Sequence, residues 1–213
     1  MTSVREEPRN RDFLRFLGEF ARSPMTTAAV APSSAALAAA MVAPVPEKGD
    51  PVVVELGPGT GAFTKAVQAK LRGRGRHLAV ELNPAWAELL RERFPRVEVV
   101  CADATDLRNV LTERGVSDVD VVVSGLPWVA FPTGAGRSLA AAVADSLTDT
   151  GAFTQFTYSW TRWAQPARVR LQALRATFEE VIVSTTVWRN LPPAAVYVAR
   201  RARQHRRVVE HAA

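Results

Sequence analysis

Val52-Val53-Val54-Glu55-Leu56-Gly57-Pro58-Gly59-Thr60-Gly61 is the stretch from which the rest of the chain can be read. Its first half is a run of β-branched and aliphatic residues, the composition of a strand covered on both faces. An acid interrupts the run, and three glycines at alternate positions follow before a helical pattern begins near residue 61. Glycine accepts left-handed backbone and lets the chain approach a ligand closely, while the first turn of a helix offers N–H groups without partners of their own. The spacing is Gly-x-Gly-x-Gly, not the Gly-x-Gly-x-x-Gly of dinucleotide-binding loops.

Outward from that stretch, short β-branched runs alternate with helical segments. The runs cover 52–56, 77–81, 97–101, 119–124, 152–158, 180–188 and 194–199, and the helical segments fall near 61–71, 84–94, 106–114, 134–147 and 165–177. Such alternation builds parallel strands joined by right-handed helical crossovers. Only Arg189-Asn190-Leu191-Pro192-Pro193 separates the last two runs, too short for a crossover, so those strands are expected to pair antiparallel. The expected fold class is α/β: a doubly wound, seven-stranded, mostly parallel sheet with a C-terminal antiparallel hairpin, preceded by N-terminal helices. Residues 49–199 would form this domain, 1–48 a helical extension and 200–213 a basic tail.

In the extension, Phe13, Phe16, Leu17 and Phe20 fall within about 100° of one another at helical spacing, with Arg11, Arg15, Glu19 and Arg22 opposite. This amphipathic helix, about 10–22, fits packing across the domain or lying in a membrane surface. A second helix, about 33–43, follows Pro32, with Ser33 or Ser34 able to cap it.

Composition narrows the class. In 213 residues, 47% are apolar and 23% charged, the balance of a globular chain. The apolar stretch 35–45 is far shorter than a bilayer span, and residues 1–7 lead into charge without an apolar signal core, so a cytoplasmic protein is expected. The single cysteine, Cys101, excludes a disulfide framework and a cysteine-based metal site, and reads as inert core at the end of a strand. With two of the three histidines in the tail, no metal centre is expected. Net charge is 27 − 21 = +6; residues 1–24 hold five Arg against four acids and residues 199–213 five Arg against one Glu, which leaves the body at +1. A near-neutral body predicts no stable nucleic-acid partner. The tail suits either a solvated end or contact with anionic lipid or RNA phosphate.

Strand, acid, three glycines and helix together resemble the first motif of class I S-adenosylmethionine-dependent methyltransferases. The resemblance implies S-adenosyl-L-methionine as cofactor, held by Glu55, Gly57, Gly59 and Gly61. Two more acids stand where such a site needs them. Glu81, twenty residues past Gly61, ends the second strand and suits the ribose hydroxyls. Asp103 follows the third strand beside Ala104, placed for the adenine amino group, and Ser124 closes the fourth strand. The competing reading is that acids after strands merely cap helices.

After the fourth strand comes Ser124-Gly125-Leu126-Pro127-Trp128-Val129-Ala130-Phe131-Pro132. Adenine and glutamine N-methyltransferases carry Asn/Asp-Pro-Pro-Tyr or Asn-Leu-Pro-Tyr here, and this chain has Gly125 where the Asn would stand. Trp128 keeps an aromatic wall, usable for a cation–π contact with an ammonium. Over nearly its whole length the chain further resembles bacterial phospholipid N-methyltransferases. The likeness is carried by the segment from Ser23-Pro24-Met25 to Pro32-Ser33-Ser34, by Ser124-Gly125-Leu126-Pro127 with Phe131-Pro132, by Thr157-Tyr158, and by Arg189-Asn190-Leu191-Pro192-Pro193-Ala194. It departs from that family at Trp128-Val129-Ala130 and over Ser159-Trp160-Thr161-Arg162-Trp163.

This closer resemblance implies an amine-bearing lipid acceptor such as phosphatidylethanolamine, with Trp128 and Tyr158 as catalytic candidates. Leu126, Pro127, Trp128 and Arg189 would be substrate contacts, with Arg189 or Arg162 meeting a headgroup phosphate. It also implies an anionic membrane surface as partner, met by the N-terminal helix and basic tail, and a peripheral place on the inner face of the membrane. Three other readings stay open: a tailoring enzyme for a soluble small molecule, an rRNA adenine dimethyltransferase, and a binding partner that keeps the cofactor pocket without turnover.

Overall fold

The computed structural model describes residues 33–127 and 133–203, with residues 133–138 described by their backbone alone. The expected helix at 10–22, residues 23–32, the stretch 128–132 with Trp128, and the tail beyond 203 lie outside the described residues.

A short helix, α1 (Ala35–Met41), precedes the alternating part of the chain. There β1 (Val52–Leu56), β2 (Arg76–Glu81), β3 (Glu98–Cys101) and β4 (Val119–Ser124) alternate with α2 (Ala62–Leu71), α3 (Pro84–Arg93) and α4 (Leu107–Glu113). Next come α5 (Thr133–Ser146), β5 (Leu147–Tyr158), α6 (Gln165–Thr177), β6 (Phe178–Val183) and β7 (Ala194–Ala202). The seven strands form one sheet in the order β3-β2-β1-β4-β5-β7-β6. All neighbours from β3 to β5 are parallel, and β7 runs antiparallel to both β5 and β6. The strand order reverses between β1 and β4, and at such a point the connections leave to opposite faces and open a crevice over the carboxyl ends.

Helices cover both faces of the sheet. On one, α1 and α2 pack Leu37, Met41, Phe63 and Val67 against Val53, Val121, Val123 and Val196. On the other, α4, α5 and α6 pack Leu107, Leu139, Val143 and Leu174 against Val54, Leu56, Val122 and Phe153. Seven residues cannot sustain an isolated helix, so α1 owes its existence to this contact: Leu37 and Met41 are fully buried, each worth roughly 1.5–3 kcal/mol of transfer free energy.

Several boundaries move from the sequence reading. Of the two candidate caps for α1 it is Ser34 that accepts from the Leu37 N–H, at 3.1 Å. β5 begins at Leu147, five residues earlier than expected, because Thr148-Asp149-Thr150-Gly151 has turn composition yet is absorbed as an irregularity between the pairs Val119–Leu147 and Val121–Ala152. β6 covers Phe178–Val183 rather than 180–188. The side-chain oxygen of Ser184 takes the Val196 N–H at 2.9 Å, and only Val187 returns to the ladder, opposite Ala194. β7 continues to Ala202, three residues into the expected tail. Cys101 is corrected outright: it is exposed, because β3 is the last strand on that side of the sheet.

Candidate active site

The glycine turn is built as its composition requires. Gly57, Gly59 and Gly61 all hold positive φ, at 65°, 55° and 87°, which a residue with Cβ adopts only under strain. The turn is fastened from two sides: the Gly57 N–H donates to Val80 O at 2.9 Å, and the Gly59 N–H donates to Glu81 Oε2 at 3.0 Å. Space is also tight, since a Cβ on Gly61 would stand 2.7 Å from the ring of Phe94. Half-buried Trp86, from the first turn of α3, lies over Gly59.

Glu55 lies beneath this turn with no exposed surface. Its Oε2 accepts from the Thr64 hydroxyl at 2.8 Å and stands 3.2 Å from His77 Nε2, an ion pair whenever the imidazole is protonated. Its Oε1 is buried and has no hydrogen-bond partner among the described residues. Glu81 is 6% exposed. Besides holding Gly59, it accepts the Asn83 N–H on Oε1 at 2.9 Å. Burial pushes its carboxyl above the ordinary value of 4.5, opposed by the backbone N–H groups of Asn83, Gly59 and Leu82 and reinforced by the negative charge of Glu55. Asp103 also serves as a cap: its Oδ1 takes both the N–H and the hydroxyl of Thr105, each at 2.8 Å. Ala104 is buried behind it.

Across the crevice, β4 ends at buried Ser124, whose hydroxyl accepts the Leu126 N–H at 3.4 Å. Gly125 donates its N–H to Leu56 O at 2.8 Å, and a Cβ there would stand 2.5 Å from Gly57 O. The glycine at 125 is therefore a packing requirement: the two turns touch backbone to backbone, and an asparagine has no room between them. Leu126 fills the space above Gly57, and its carbonyl accepts from Gln155 Nε2 at 3.0 Å. Gln155 is level with Ser124 on the neighbouring strand, and its Oε1 is buried without a partner among the described residues. Pro127 is half-buried at the end of this segment.

Tyr158 lies three residues further along β5, on the face that carries α1. Its ring meets Phe156 edge-to-face at 5.5 Å, and Phe156 meets Phe63 at 5.8 Å. Burial raises the Tyr158 phenol, so at neutral pH it holds its proton and can donate a hydrogen bond. Arg189 is exposed on the β6–β7 connection. Its buried neighbour Asn190 accepts the Ser34 N–H at 2.9 Å and donates to Pro192 O at 2.7 Å, tying α1 to that connection.

Thr64, His77 and Gln155 escaped the sequence reading, and Asn190 entered it only as part of the Arg189–Ala194 stretch, without a role of its own. Thr64 had a signal, since the third residue past Gly61 on a helix turns back toward the preceding strand. Gln155 had a weaker one, a polar residue inside a strand. His77 and Asn190 act through partners 22 and 156 positions away, which no spacing reveals.

The crevice fits S-adenosyl-L-methionine on its own features. The glycines let the turn pack against Leu126, Trp86 and Phe94 where a Cβ would crowd them, and beneath it the carboxylate of Glu55 keeps one buried oxygen unsatisfied, a negative charge under the turn that favours a cationic ligand above it. Glu81 stands beside it as a second buried carboxylate. Among the described residues no cluster of His, Cys, Asp and Glu could hold a metal ion, and no helix is long and apolar enough to cross a membrane.

Comparison with known proteins agrees with this geometry. Residues 53–151 match the model of a methyltransferase domain family. The chain is 39% identical over 196 residues to the ornithine lipid N-methyltransferase of Singulisphaera acidiphila, covering 89% of this chain and 96% of that one. Among solved structures it is similar to an S-adenosylmethionine-dependent O-methyltransferase from Thermotoga maritima, with a TM-score of 0.61 at 14% identity over 87% of this chain and 72% of that one. Human methyltransferase-like protein 13, solved with S-adenosylhomocysteine, gives 0.57 at 18% identity over 80% of this chain and 82% of that one. A glycine crevice at the reversal point of this sheet, in a chain this close to a lipid methyltransferase, has one family to join: the chain belongs to the class I S-adenosylmethionine-dependent methyltransferases, and S-adenosyl-L-methionine is its cofactor.

Proposed function

We propose that the chain N-methylates the amine of a lipid headgroup, with an ornithine lipid or phosphatidylethanolamine as the acceptor. The observation that carries this reading is the 39% identity to an ornithine lipid N-methyltransferase across 96% of that enzyme's length. The resemblance to lipid N-methyltransferases drawn from the Ser124–Pro127 and Arg189–Ala194 stretches points the same way.

When bound, S-adenosyl-L-methionine would supply an electrophilic methyl group, whose carbon an amine nitrogen attacks in line as the carbon–sulfur bond breaks and S-adenosyl-L-homocysteine leaves. The protein's part is placement. Glu81 holds the ribose hydroxyls, Asp103 offers the oxygen not used by Thr105 to the adenine amino group, and Glu55 answers positive charge from below the Gly57–Gly61 cradle. Ala104 and Ser124 line the same crevice. On the acceptor side Leu126 and Pro127 form the wall, which Trp128 follows in sequence, Tyr158 orients the amine by accepting one of its N–H groups on the phenol oxygen, and Arg189, exposed at the rim, meets an anionic headgroup. Correct alignment and exclusion of water can supply roughly 7–11 kcal/mol of the barrier reduction. An ammonium acceptor loses its proton to solvent, as Tyr158 keeps its own. The amphipathic sequence pattern of residues 10–22 and the basic tail suit a peripheral hold on an anionic membrane.

The test is a competition among acceptors. Labelled S-adenosyl-L-methionine is offered with vesicles containing ornithine lipid or phosphatidylethanolamine, with soluble primary amines, and with unmodified rRNA. Label in lipid alone supports the reading. Label in a soluble amine or in adenine, with none in lipid, overturns it.

A further inference from the structure

Three of the five tryptophans stand at one rim of the molecule and are unusually open: Trp160, Trp163 and Trp188 are 66%, 75% and 78% exposed, and Leu191 beside them 76%. Trp160 and Trp163 belong to the β5–α6 connection, Trp188 and Leu191 to the β6–β7 connection. The Ser159 N–H donates to Pro193 O at 2.8 Å and joins the two connections, which leave the sheet side by side because Ala194, bonded to Val187 within its own connection, is the register partner of Tyr158. Both connections leave the sheet at the edge that carries Ser124 and the glycine crevice, because Ser124 is level with Gln155 and β5 runs on from there to Tyr158. The rim is thus on the acceptor side of the site.

Apolar surface of this kind is rarely left open to water without a partner. Its chemistry specifies which. Arg162 stacks over the Trp163 ring at 5.1 Å and Arg189 follows Trp188 directly. No Asp or Glu occurs from residue 150 to 178, or from 181 to 203. Tryptophan and arginine gather at protein–protein interfaces too, but a partner of mixed charge would find no carboxylate along either connection. Indole rings beside arginines without any acid match instead the boundary between lipid headgroups and acyl chains, where an amphipathic ring is half wet and a cation meets lipid phosphate. The described chain also enters α1 at this rim, through Ser34 on Asn190.

We infer that Trp160, Trp163, Trp188 and Leu191, with Arg162 and Arg189, form a docking surface that seats the acceptor side of the enzyme on an anionic lipid bilayer. This rests on the lipid-acceptor reading above and adds to it a second contact, independent of residues 10–22, that opens the crevice toward the membrane.

The experiment uses the full chain and vesicles of phosphatidylcholine mixed with phosphatidylglycerol, with bromine on the phosphatidylcholine acyl chains to quench tryptophan fluorescence. The wild type should be quenched and should co-sediment with the vesicles. Replacing Trp160, Trp163 and Trp188 together by Ser should abolish most of the quenching and weaken partitioning by about tenfold or more. Because these side chains are exposed, the melting temperature should be unchanged, as should methyl transfer to a short-chain acceptor lipid in detergent. Wild-type tryptophans left unquenched, whether because a protein partner or residues 1–32 cover the rim, would overturn the inference, as would quenching undiminished in the triple variant. Quenching without methylation of any lipid would instead sink the acceptor reading and leave the docking surface standing.

Discussion

Glu81 does two jobs that can be separated by pH. Its carboxylate fastens Gly59 and is the proposed acceptor for the cofactor ribose, and burial raises its pKa above 4.5. Protonation removes the charge and turns one of the two acceptor oxygens into a donor, so affinity for S-adenosyl-L-methionine should be full at neutral pH. On acidification it should begin to fall at a higher pH than an ordinary glutamate would set. Stability responds with the opposite sign: a carboxyl whose folded pKa is raised destabilises the fold when ionised, and that cost is relieved as pH drops through the same window. Glu81→Gln should weaken cofactor binding by about tenfold or more, the worth of a hydrogen bond to a charged group, and flatten its pH dependence. Calorimetric titration across pH reads both, and a variant that binds like the parent would take the ribose role from Glu81. Gly125 makes a different demand. With Gly57 O at 2.5 Å from the position of its missing Cβ, Gly125→Asn must push two backbone turns apart, an overpacking cost of about 1–3 kcal/mol. The expected result is a lower melting temperature and weaker cofactor binding without any gain of adenine methylation. Stable protein that methylates adenine would show that glycine had replaced asparagine for chemistry rather than for space.

Among the elements, α1 depends on a residue far away in sequence. Asn190 spans from the β6–β7 connection to the Ser34 N–H, and the helix it holds is short and stabilised mainly by burial. Asn190→Ala should destabilise this end of the domain by about 1–3 kcal/mol. Hydrogen exchange should show the amides of α1 losing protection before those of β1 and β4, whereas uniform loss would mean that α1 is not a separate unit. Elements whose chemistry is local were legible in the sequence. β1, its glycine turn, α2 and the parallel order that follows all rest on β-branched runs, glycines and helix caps that act within a few residues. The misplaced boundaries share another cause. Thr148-Asp149-Thr150-Gly151 has the composition of a turn but is held in β5 by pairing with β4, and Thr185 to Trp188 has the composition of a strand but is released when the Ser184 hydroxyl captures the Val196 N–H. Cys101 was misjudged because a strand's place at the sheet edge is a property of the whole sheet. In the site, Glu55 and Glu81 could be picked out by register with the glycines, while His77 and Gln155 become visible only when strands are set side by side.

At the scale of the whole molecule, one edge of the sheet gathers what the function needs. The glycine crevice, the Ser124–Pro127 turn, Tyr158, and the Arg- and Trp-bearing connections all leave from the carboxyl ends of the parallel strands or the neighbouring end of β7. The opposite edge and the helical faces supply the core. Such a division places the crevice and the exposed connections on one surface of the same domain. The most direct measurement is mass spectrometry of polar lipids after incubation of the full chain with S-adenosyl-L-methionine and mixed vesicles of ornithine lipid, phosphatidylethanolamine and phosphatidylglycerol. Successive methyl increments should appear on an amine-bearing lipid, with phosphatidylglycerol unchanged. Confirmed cofactor binding with no methyl increment on either amine-bearing lipid would contradict the lipid-acceptor reading.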